Sequence, residues 1–250
     1  MNKYLKNLKR IEIAVTLACT GKCKHCQNGD PKNTSVHIDA DAVIKAIRKV
    51  CENYKIKTVM TFGGEPLLYP DTVYAIQNAA KELGIEKRQI ITNGYFSKDK
   101  SRIKEVARKL AESGVNDMLL SVDAFHQETI PLEPVKYFAE RAVKAGIPVW
   151  LTPSWLKSEE DENPYNETTR RIIAEFEPLG IPTGEGNIIF PSGNALKYLR
   201  EYFDENVTEW SPYDDDPEDI RSLSFEPDGG VLDGNIYKTD ILQIIRDYKP

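Results

Sequence analysis

The strongest constraint on the fold is a regular alternation between short apolar runs and longer stretches of helical period. The runs rich in β-branched and aromatic residues are the predicted strands: Ile11–Leu17, Thr58–Phe62, Gln89–Thr92, Met118–Val122, Pro148–Thr152 and Asn187–Phe190. The amphipathic stretches between them are the predicted helices: Ala40–Tyr54, Asp71–Leu83, Lys100–Ser113, Leu132–Ala145 and Glu167–Leu179. Because parallel strands need long crossovers, this order predicts an α/β fold with a parallel sheet. In such sheets the loops at the carboxyl ends of the strands carry the chemistry.

The composition is that of a protein with a substantial apolar core. The chain has 250 residues, of which 40% are hydrophobic, so neither disulfides nor a structural metal is needed for folding. The net charge of −6 and a pI of about 5.3 argue against nucleic-acid binding by bulk electrostatics. No apolar run approaches the roughly 20 residues of a membrane-spanning helix, and no signal peptide is recognisable. We therefore expect a cytoplasmic protein that binds neither membranes nor nucleic acids.

Three of the four cysteines lie close together directly after the first predicted strand. Cys19, Cys23 and Cys26 have the spacing C-x3-C-x2-C. Three thiolates on one loop can bind three corners of a [4Fe–4S] cube and leave the fourth iron open to a small chelator. S-adenosylmethionine is such a chelator, because its methionine end offers an amine and a carboxylate together.

The same cysteines leave a zinc site as the alternative. His25, His37 or Cys51 would then supply the fourth ligand. Zinc sites usually combine two short cysteine or histidine spacings, and this sequence contains one. Cys51 also falls on the apolar face of its predicted helix, which favours a place in the core.

A second motif after the second predicted strand, Gly63-Gly64-Glu65, accompanies the cysteine spacing. With both motifs the chain resembles the radical S-adenosylmethionine superfamily over residues 9–193. The resemblance implies a partial (β/α)6 barrel, similar to a TIM barrel, with one [4Fe–4S] cluster on the three cysteines. It also implies reductive cleavage of S-adenosylmethionine to methionine and a 5′-deoxyadenosyl radical. His25 stands at the family's aromatic position just before the third cysteine.

The resemblance assigns cofactor contacts to residues at the ends of predicted strands. Glycines allow close backbone approach, and Glu65 can accept a hydrogen bond from the amino group of the methionine moiety. Family members bind the ribose through a serine or acid at the end of the fourth strand. The expected cofactor-binding residues are His25, Gly63, Gly64, Glu65, Thr92, Asn93, Ser121, Asp123, Thr152, Ser154 and Asn187.

Asp123 and His126 are the candidate catalytic residues. They follow the fourth predicted strand, near the place where a substrate would sit. A histidine there can donate a proton or bind a carboxylate. The alternatives are a histidine that only stabilises the loop and a structural hydrogen bond at Asp123.

Past Gly193 the alternating pattern ends, and residues 194–250 are expected to form a small C-terminal α+β extension of a core at 1–193. The stretch Phe225–Ile244 resembles the SPASM extension of peptide-modifying radical enzymes, in which cysteines bind auxiliary clusters. The extension here contains no cysteine, so a cysteine-ligated auxiliary cluster cannot form in it. Its acidic stretch Tyr202–Asp219 predicts a lid with a negative face, and an appendage on the outside of the barrel is the alternative.

These features predict an enzyme that abstracts hydrogen from a peptide or small-molecule substrate. Electrons would come from a donor such as flavodoxin or ferredoxin. Two alternatives stay open: an activating enzyme that places a glycyl radical on a large partner, and a non-catalytic iron–sulfur regulatory protein. The activating enzymes usually lack a SPASM-like extension, which makes that alternative the weaker one.

Overall fold

The computed structural model describes residues 2–32 and 34–250. The strands of these residues are β1 (Arg10–Ala14), β2 (Thr58–Phe62), β3 (Lys87–Thr92), β4 (Asp117–Leu120), β5 (Val149–Leu151), β6 (Ser154–Trp155), β7 (Asn187–Ile188), β8 (Ser222–Phe225), β9 (Gly230–Val231) and β10 (Gly234–Asn235). Their α-helices are α1 (Ala40–Asn53), α2 (Pro70–Glu82), α3 (Lys100–Glu112), α4 (Ala124–Gln127), α5 (Leu132–Lys144), α6 (Pro164–Ala174), α7 (Asn194–Tyr198) and α8 (Ile241–Asp247).

The main sheet has six parallel strands in the order β5-β4-β3-β2-β1-β8. Ile11 of β1 pairs with Val59 of β2 on one side and with Leu223 of β8 on the other. Since all six strands point the same way, their carboxyl ends lie along one edge. The predicted α/β fold, a partial (β/α)6 TIM-like barrel, is confirmed.

Alternation within the strands explains the position of the core. Ile11 and Ile13 are fully buried, whereas Arg10 and Glu12 on the other face of β1 are partly exposed. Helix α1 begins at its N-cap Asp39, which accepts a hydrogen bond from Ala42 N. Its buried residues recur at helical spacing and pack into the main core. Each fully buried aliphatic side chain of this kind contributes about 1.5–3 kcal/mol.

The sixth strand of the main sheet is not the one expected from the sequence. The predicted strand Asn187–Phe190 is reduced to β7, which pairs only with β6 in a separate two-stranded sheet. An isolated bridge between Leu151 and Thr183 links this pair to the edge of β5. The sixth position in the main sheet belongs to β8, more than 25 residues beyond Gly193 in the sequence.

Residues 194–250 therefore contribute to both apolar cores. Leu223 and Phe225 of β8 are fully buried in the main core. Ala195 and Leu199 belong to a second apolar cluster with Phe125, Leu156 and Ile189. The boundary after residue 193 stays a prediction about sequence segments, since both cores extend across it. No described helix has the length and apolarity required to span a bilayer.

Candidate active site

The candidate site is a cavity at the carboxyl edge of the sheet, formed by the loops that follow the first four strands. Its volume is about 140 Å³. All three clustered cysteines line it together with His25, Gly63, Gly64, Thr92, Asn93, Ser121 and His126. The structure thus brings most of the sequence-predicted site residues to one place.

In the absence of a bound cation, burial disfavours the thiolate form of the three clustered cysteines. Burial raises the pKa of Cys19 to about 11, and burial also raises the pKa of Cys23 and of Cys26. Cys19 Sγ accepts long hydrogen bonds from Gly21 N at 3.4 Å and Asn93 Nδ2 at 3.5 Å. A bound metal would stabilise the thiolates, since a coordinating thiol is deprotonated.

The spacing of the donor atoms suits a cluster better than a single zinc ion. Zinc–sulfur bonds of about 2.3 Å in a tetrahedral site require sulfurs roughly 4 Å apart. The three sulfurs are not gathered this closely; the described group with donor atoms within 4.8 Å of one another is Cys23, His25 and His126. A cube holds its irons at separate corners, so its cysteine ligands stand farther apart. The three sulfurs therefore do not form a compact site for one ion, and three thiolates on one loop remain the donor set that a [4Fe–4S] cluster takes.

The other two candidate zinc ligands lie elsewhere. His37 is exposed and stacks on Tyr69 with ring centroids 4.0 Å apart. Cys51 is half-buried and packs against the main core, away from the loop at residues 15–30 that carries the other three cysteines (the cysteine loop). Neither residue lines the cavity.

The two glycines of the Gly63-Gly64-Glu65 motif allow the cysteine loop to pass closely over β2. Gly64 N donates to Thr16 O at 2.7 Å, and Glu65 N donates to Ala18 O at 2.8 Å. A Cβ on either glycine would overlap the carbonyl oxygen of Thr16 or Ala18. The sequence predicted that these glycines let a ligand approach the backbone closely. In the structure they also let the backbone at Thr16 and Ala18 approach them closely.

Glu65 braces the ends of two neighbouring strands. Its side chain is fully buried; Oε1 accepts from Leu67 N at 2.9 Å and from Thr92 Oγ1 at 2.8 Å. Oε2 accepts from Asn93 N at 2.9 Å, which leaves it a lone pair for one more donor. Burial raises the pKa of Glu65 to about 7, against the opposing effect of these hydrogen bonds. Glu65 does not itself line the cavity, so its contact with a ligand ammonium stays a prediction.

Asp123 orients His126. The carboxylate is fully buried and caps α4 by accepting from His126 N at 2.9 Å. Its Oδ2 lies 2.8 Å from His126 Nδ1 and accepts from Ser154 N at 3.0 Å. Burial acts to raise the pKa of Asp123, but the charge and hydrogen bonds of His126 hold that pKa well below its usual range. Asp123 is absent from the cavity lining, which favours a positioning role over the predicted direct contact with cofactor or substrate.

His25 packs beside this pair. Its ring centroid lies 4.9 Å from that of His126 and 5.1 Å from that of Phe125. His25 Nε2 lies 3.1 Å from Ser154 Oγ, and Nδ1 is buried without a hydrogen-bond partner. Burial lowers the pKa of His25 to about 4, so the ring is neutral near pH 7. Ser154 therefore contacts the site only indirectly, through its hydrogen bonds with His25 and Asp123.

Besides Glu65, Asp123 and Ser154, two further predicted cofactor residues, Thr152 and Asn187, do not line the cavity. Thr152 continues the sheet, with its N–H donating to Leu120 O at 2.8 Å. Asn187 is exposed on β7 and accepts a hydrogen bond from the Tyr213 hydroxyl. Thr152 lies just past the end of β5, which keeps its predicted place, whereas the strand of Asn187 lies outside the main sheet.

Sequence reasoning missed the residue that contacts two of the cysteines from the C-terminal side. Asn194 N donates to Cys26 O at 2.9 Å, and Asn194 Nδ2 donates to Cys23 O at 3.1 Å. The preceding Gly193 lies against the same loop. The one available signal was a Gly-Asn pair after the last predicted strand, which is also an ordinary turn signal.

Comparison with known proteins connects this geometry to one family. The family model described as the Radical SAM superfamily matches residues 13–172. Curated relatives include a probable GTP 3′,8-cyclase from Saccharolobus islandicus, which is 24% identical over 216 residues, covering 82% of this chain and 68% of the relative. The GTP 3′,8-cyclase of Clostridium perfringens is 26% identical over 159 residues, 59% of this chain and 47% of its own length.

Solved structures share the fold at low identity. Streptococcus suis SuiB bound to S-adenosylmethionine has a TM-score of 0.59 and 14% identity, covering 98% of this chain and 67% of SuiB. Native anSMEcpe with bound AdoMet has a TM-score of 0.59 and 13% identity, covering 96% of this chain and 80% of that protein. The matched family model spans more than half of the chain.

Proposed function

This chain belongs to the radical S-adenosylmethionine superfamily, and we propose that it abstracts hydrogen from a neutral or positively charged peptide or small molecule. Enzymes of this family use a [4Fe–4S] cluster and S-adenosylmethionine. The observation that carries the proposal is the convergence of Cys19, Cys23, Cys26 and His126 on one cavity.

Cys19, Cys23 and Cys26 would hold three irons of the cluster. When bound, the cluster and S-adenosylmethionine supply an electron and a cleavable sulfonium, which yield methionine and a 5′-deoxyadenosyl radical. Glu65 holds Thr92 and Asn93 at the cavity wall through its buried carboxylate. Gly63 and Gly64 line the cavity with backbone atoms, and the half-buried Ser121 offers a hydroxyl.

His126 is the candidate group for contact with substrate. With Nδ1 held by Asp123, its Nε2 is the ring nitrogen left for a proton transfer or a hydrogen bond. Asp123 fixes the ring's orientation and tautomer, as buried carboxylates do for functional histidines. Asp123 is therefore assigned as a positioning residue.

The charge of the cavity supports a neutral or basic substrate. Among the residues that line it, Lys32 is the one lysine or arginine, and Asp30 is a carboxylate whose ion pair is with Lys197. The acidic stretch lies nearby: Glu209 accepts from Ser192 Oγ at 3.1 Å and from Gly193 N at 3.2 Å. A positively charged substrate is favoured by this field, and an anionic one is disfavoured.

A nucleotide substrate is the competing proposal, because the curated relatives are GTP 3′,8-cyclases. Nucleoside triphosphates are generally bound by several cationic groups or metal ions that neutralise the phosphates. The single lysine of the cavity does not supply them. The SuiB structure bound to the precursor peptide SuiA, 14% identical to this chain, gives the peptide alternative a precedent on the same fold.

The remaining alternatives from the sequence have less support. A regulatory protein without catalysis would not need the buried Asp123–His126 pair beside the cysteines. A glycyl-radical activating role has less support, because the activating enzymes usually lack a SPASM-like extension. A carrier such as flavodoxin or ferredoxin is the proposed electron donor, since Lys22 on the cysteine loop and Lys32 just after it are exposed.

The test uses anaerobic holoenzyme with a chemical reductant and measures 5′-deoxyadenosine by mass spectrometry. Three additions are compared with none: a pool of short basic peptides, a matched pool of acidic peptides, and GTP. The proposal expects at least a severalfold stimulation by the basic pool, and His126→Ala should remove it while iron content stays unchanged. Stimulation by GTP or by the acidic pool instead would show that the substrate class is wrong.

A further inference from the structure

The cysteine loop is held from outside by the start of α7. Asn194 is 3% exposed, and its backbone N–H donates to Cys26 O at 2.9 Å. Its side-chain Nδ2 donates to Cys23 O at 3.1 Å and to Asp30 Oδ1 at 3.2 Å. One buried residue thus joins the backbones of two of the three cysteines.

Gly193 permits this contact. Its φ of +51° lies in the left-handed region that favours glycine. A Cβ at this position would overlap the carbonyl oxygens of Gln27 and Cys26. The backbone of residue 193 therefore lies directly against the loop.

The position of Asn194 is set by apolar packing and not by the loop itself. Ala195 and Leu199, just beyond it, are fully buried in the cluster that contains Phe125 and Ile189. Lys197, one turn along, forms an ion pair of 3.0 Å with Asp30, but both side chains are more than half exposed. The rigid part of the contact is Asn194.

Other donors to these two carbonyls come from within the loop. Cys26 N donates to Cys23 O at 3.2 Å, and Gly29 N donates to Cys26 O at 3.1 Å. Such local bonds can move with the loop. Asn194 adds a donor from a separately packed element, so it relates the loop to the rest of the protein.

We propose that Asn194 is a positioning residue for the iron–sulfur cluster, which holds Cys23 and Cys26 in the arrangement that retains iron. This inference rests on the proposed ligand role of the three cysteines. Removal of the side chain would free the Cys23 carbonyl while the backbone bond of residue 194 to Cys26 O remains, so the loop would open more easily at Cys23, and cluster loss follows opening. Loss of one buried hydrogen bond corresponds to roughly a tenfold change in such an equilibrium.

The experiment measures how fast reconstituted holoprotein releases iron to EDTA under anaerobic conditions. Asn194→Ala should release iron about tenfold faster than the wild type. Asn194→Asp, which keeps the volume and loses the donor amide, should do the same and serves if the alanine variant does not fold. Reduced samples with and without S-adenosylmethionine are compared by electron paramagnetic resonance, where a displaced cysteine ligand changes the signal.

Asn166→Ala is the matched control for a merely structural role. Asn166 is also a buried asparagine that holds a loop, through bonds to Leu156, Ser158 and Asp161. Its replacement should lower thermal stability and leave iron release unchanged, and the exposed Lys197→Ala should alter neither. Equal release from Asn194→Ala and wild type, or from Asn194→Ala and Asn166→Ala, would overturn the inference. Full iron retention in Cys23→Ala would instead refute the proposed ligand set.

Discussion

The cysteine loop and the C-terminal segment differ in how clearly the sequence indicates their function, yet the structure joins them through direct contacts. Residues 15–30 carry a recognisable motif but contain no helix or main-sheet strand. Residues 194–250 carry no cysteine or chemical motif of their own, yet they supply β8 beside β1 and Asn194 beside Cys23 and Cys26. A loop that must hold a cofactor cannot pack around its own core, so its shape comes from its neighbours.

The same contrast appears in the rigidity of the cavity walls. The wall on the side of β2 and β3 is tied by Glu65, whose carboxylate is fully buried and bonded to Thr92 and Asn93. The wall on the side of α7 is held by the buried Asn194 and by the surface ion pair between Lys197 and Asp30. Three changes separate the contributions of these regions.

Removal of residues 194–250 should have the largest effect. Leu223 and Phe225 are fully buried in the main core, and each such side chain accounts for about 2–5 kcal/mol on truncation to alanine. Total stabilities are about 5–15 kcal/mol, so the remaining chain should lack a cooperative thermal transition by circular dichroism. Because β8 belongs to the main sheet, this truncation does not test the lid predicted for Tyr202–Asp219, which stays a prediction. A folded 193-residue chain that keeps its iron would restore the picture of an independent core.

Cys23→Ala should remove the cluster and leave the fold. Iron should fall from about four per chain to near zero, together with the brown colour, because three thiolates are needed to hold the cube. The thermal transition of the apoprotein should persist, since the apolar core does not include the loop's sulfurs. Cys51→Ala, which changes a cysteine outside the cavity, is the control and should keep its iron. One tightly bound zinc per chain in the wild type would contradict the cluster assignment.

Glu65→Gln should have the smallest of the three effects and act on S-adenosylmethionine affinity. The amide keeps the size of the carboxylate but offers one acceptor oxygen in place of two, so the Thr92 and Asn93 contacts weaken. Loss of a charge-assisted hydrogen bond costs about 1.5–3 kcal/mol, or roughly 10- to 100-fold in the dissociation constant. Calorimetry on the holoprotein measures it, with iron content as the control. Unchanged affinity would leave Glu65 as a purely structural brace.

Particular elements show how far sequence reasoning reached. Strand β2 matches its prediction at both ends, and α1 differs from its prediction by one residue. These elements have strong periodicity and clear end signals, such as the N-cap Asp39. Strand β8 was assigned to an appendage, because a short apolar run does not reveal which strand it will pair with.

The amino-acid sequence by itself determined the α/β class, the cysteine and glycine motifs and their place at strand ends. Local periodicity and residue chemistry are sufficient for these features. Only the tertiary structure decided that Thr152 and Asn187 stand outside the cavity and that Asn194 holds the cysteine loop. The Asp123–His126 bond is local to the start of α4, whereas Asn194 and Cys23 are far apart in the sequence, so their hydrogen bond exists only after packing has brought their elements together.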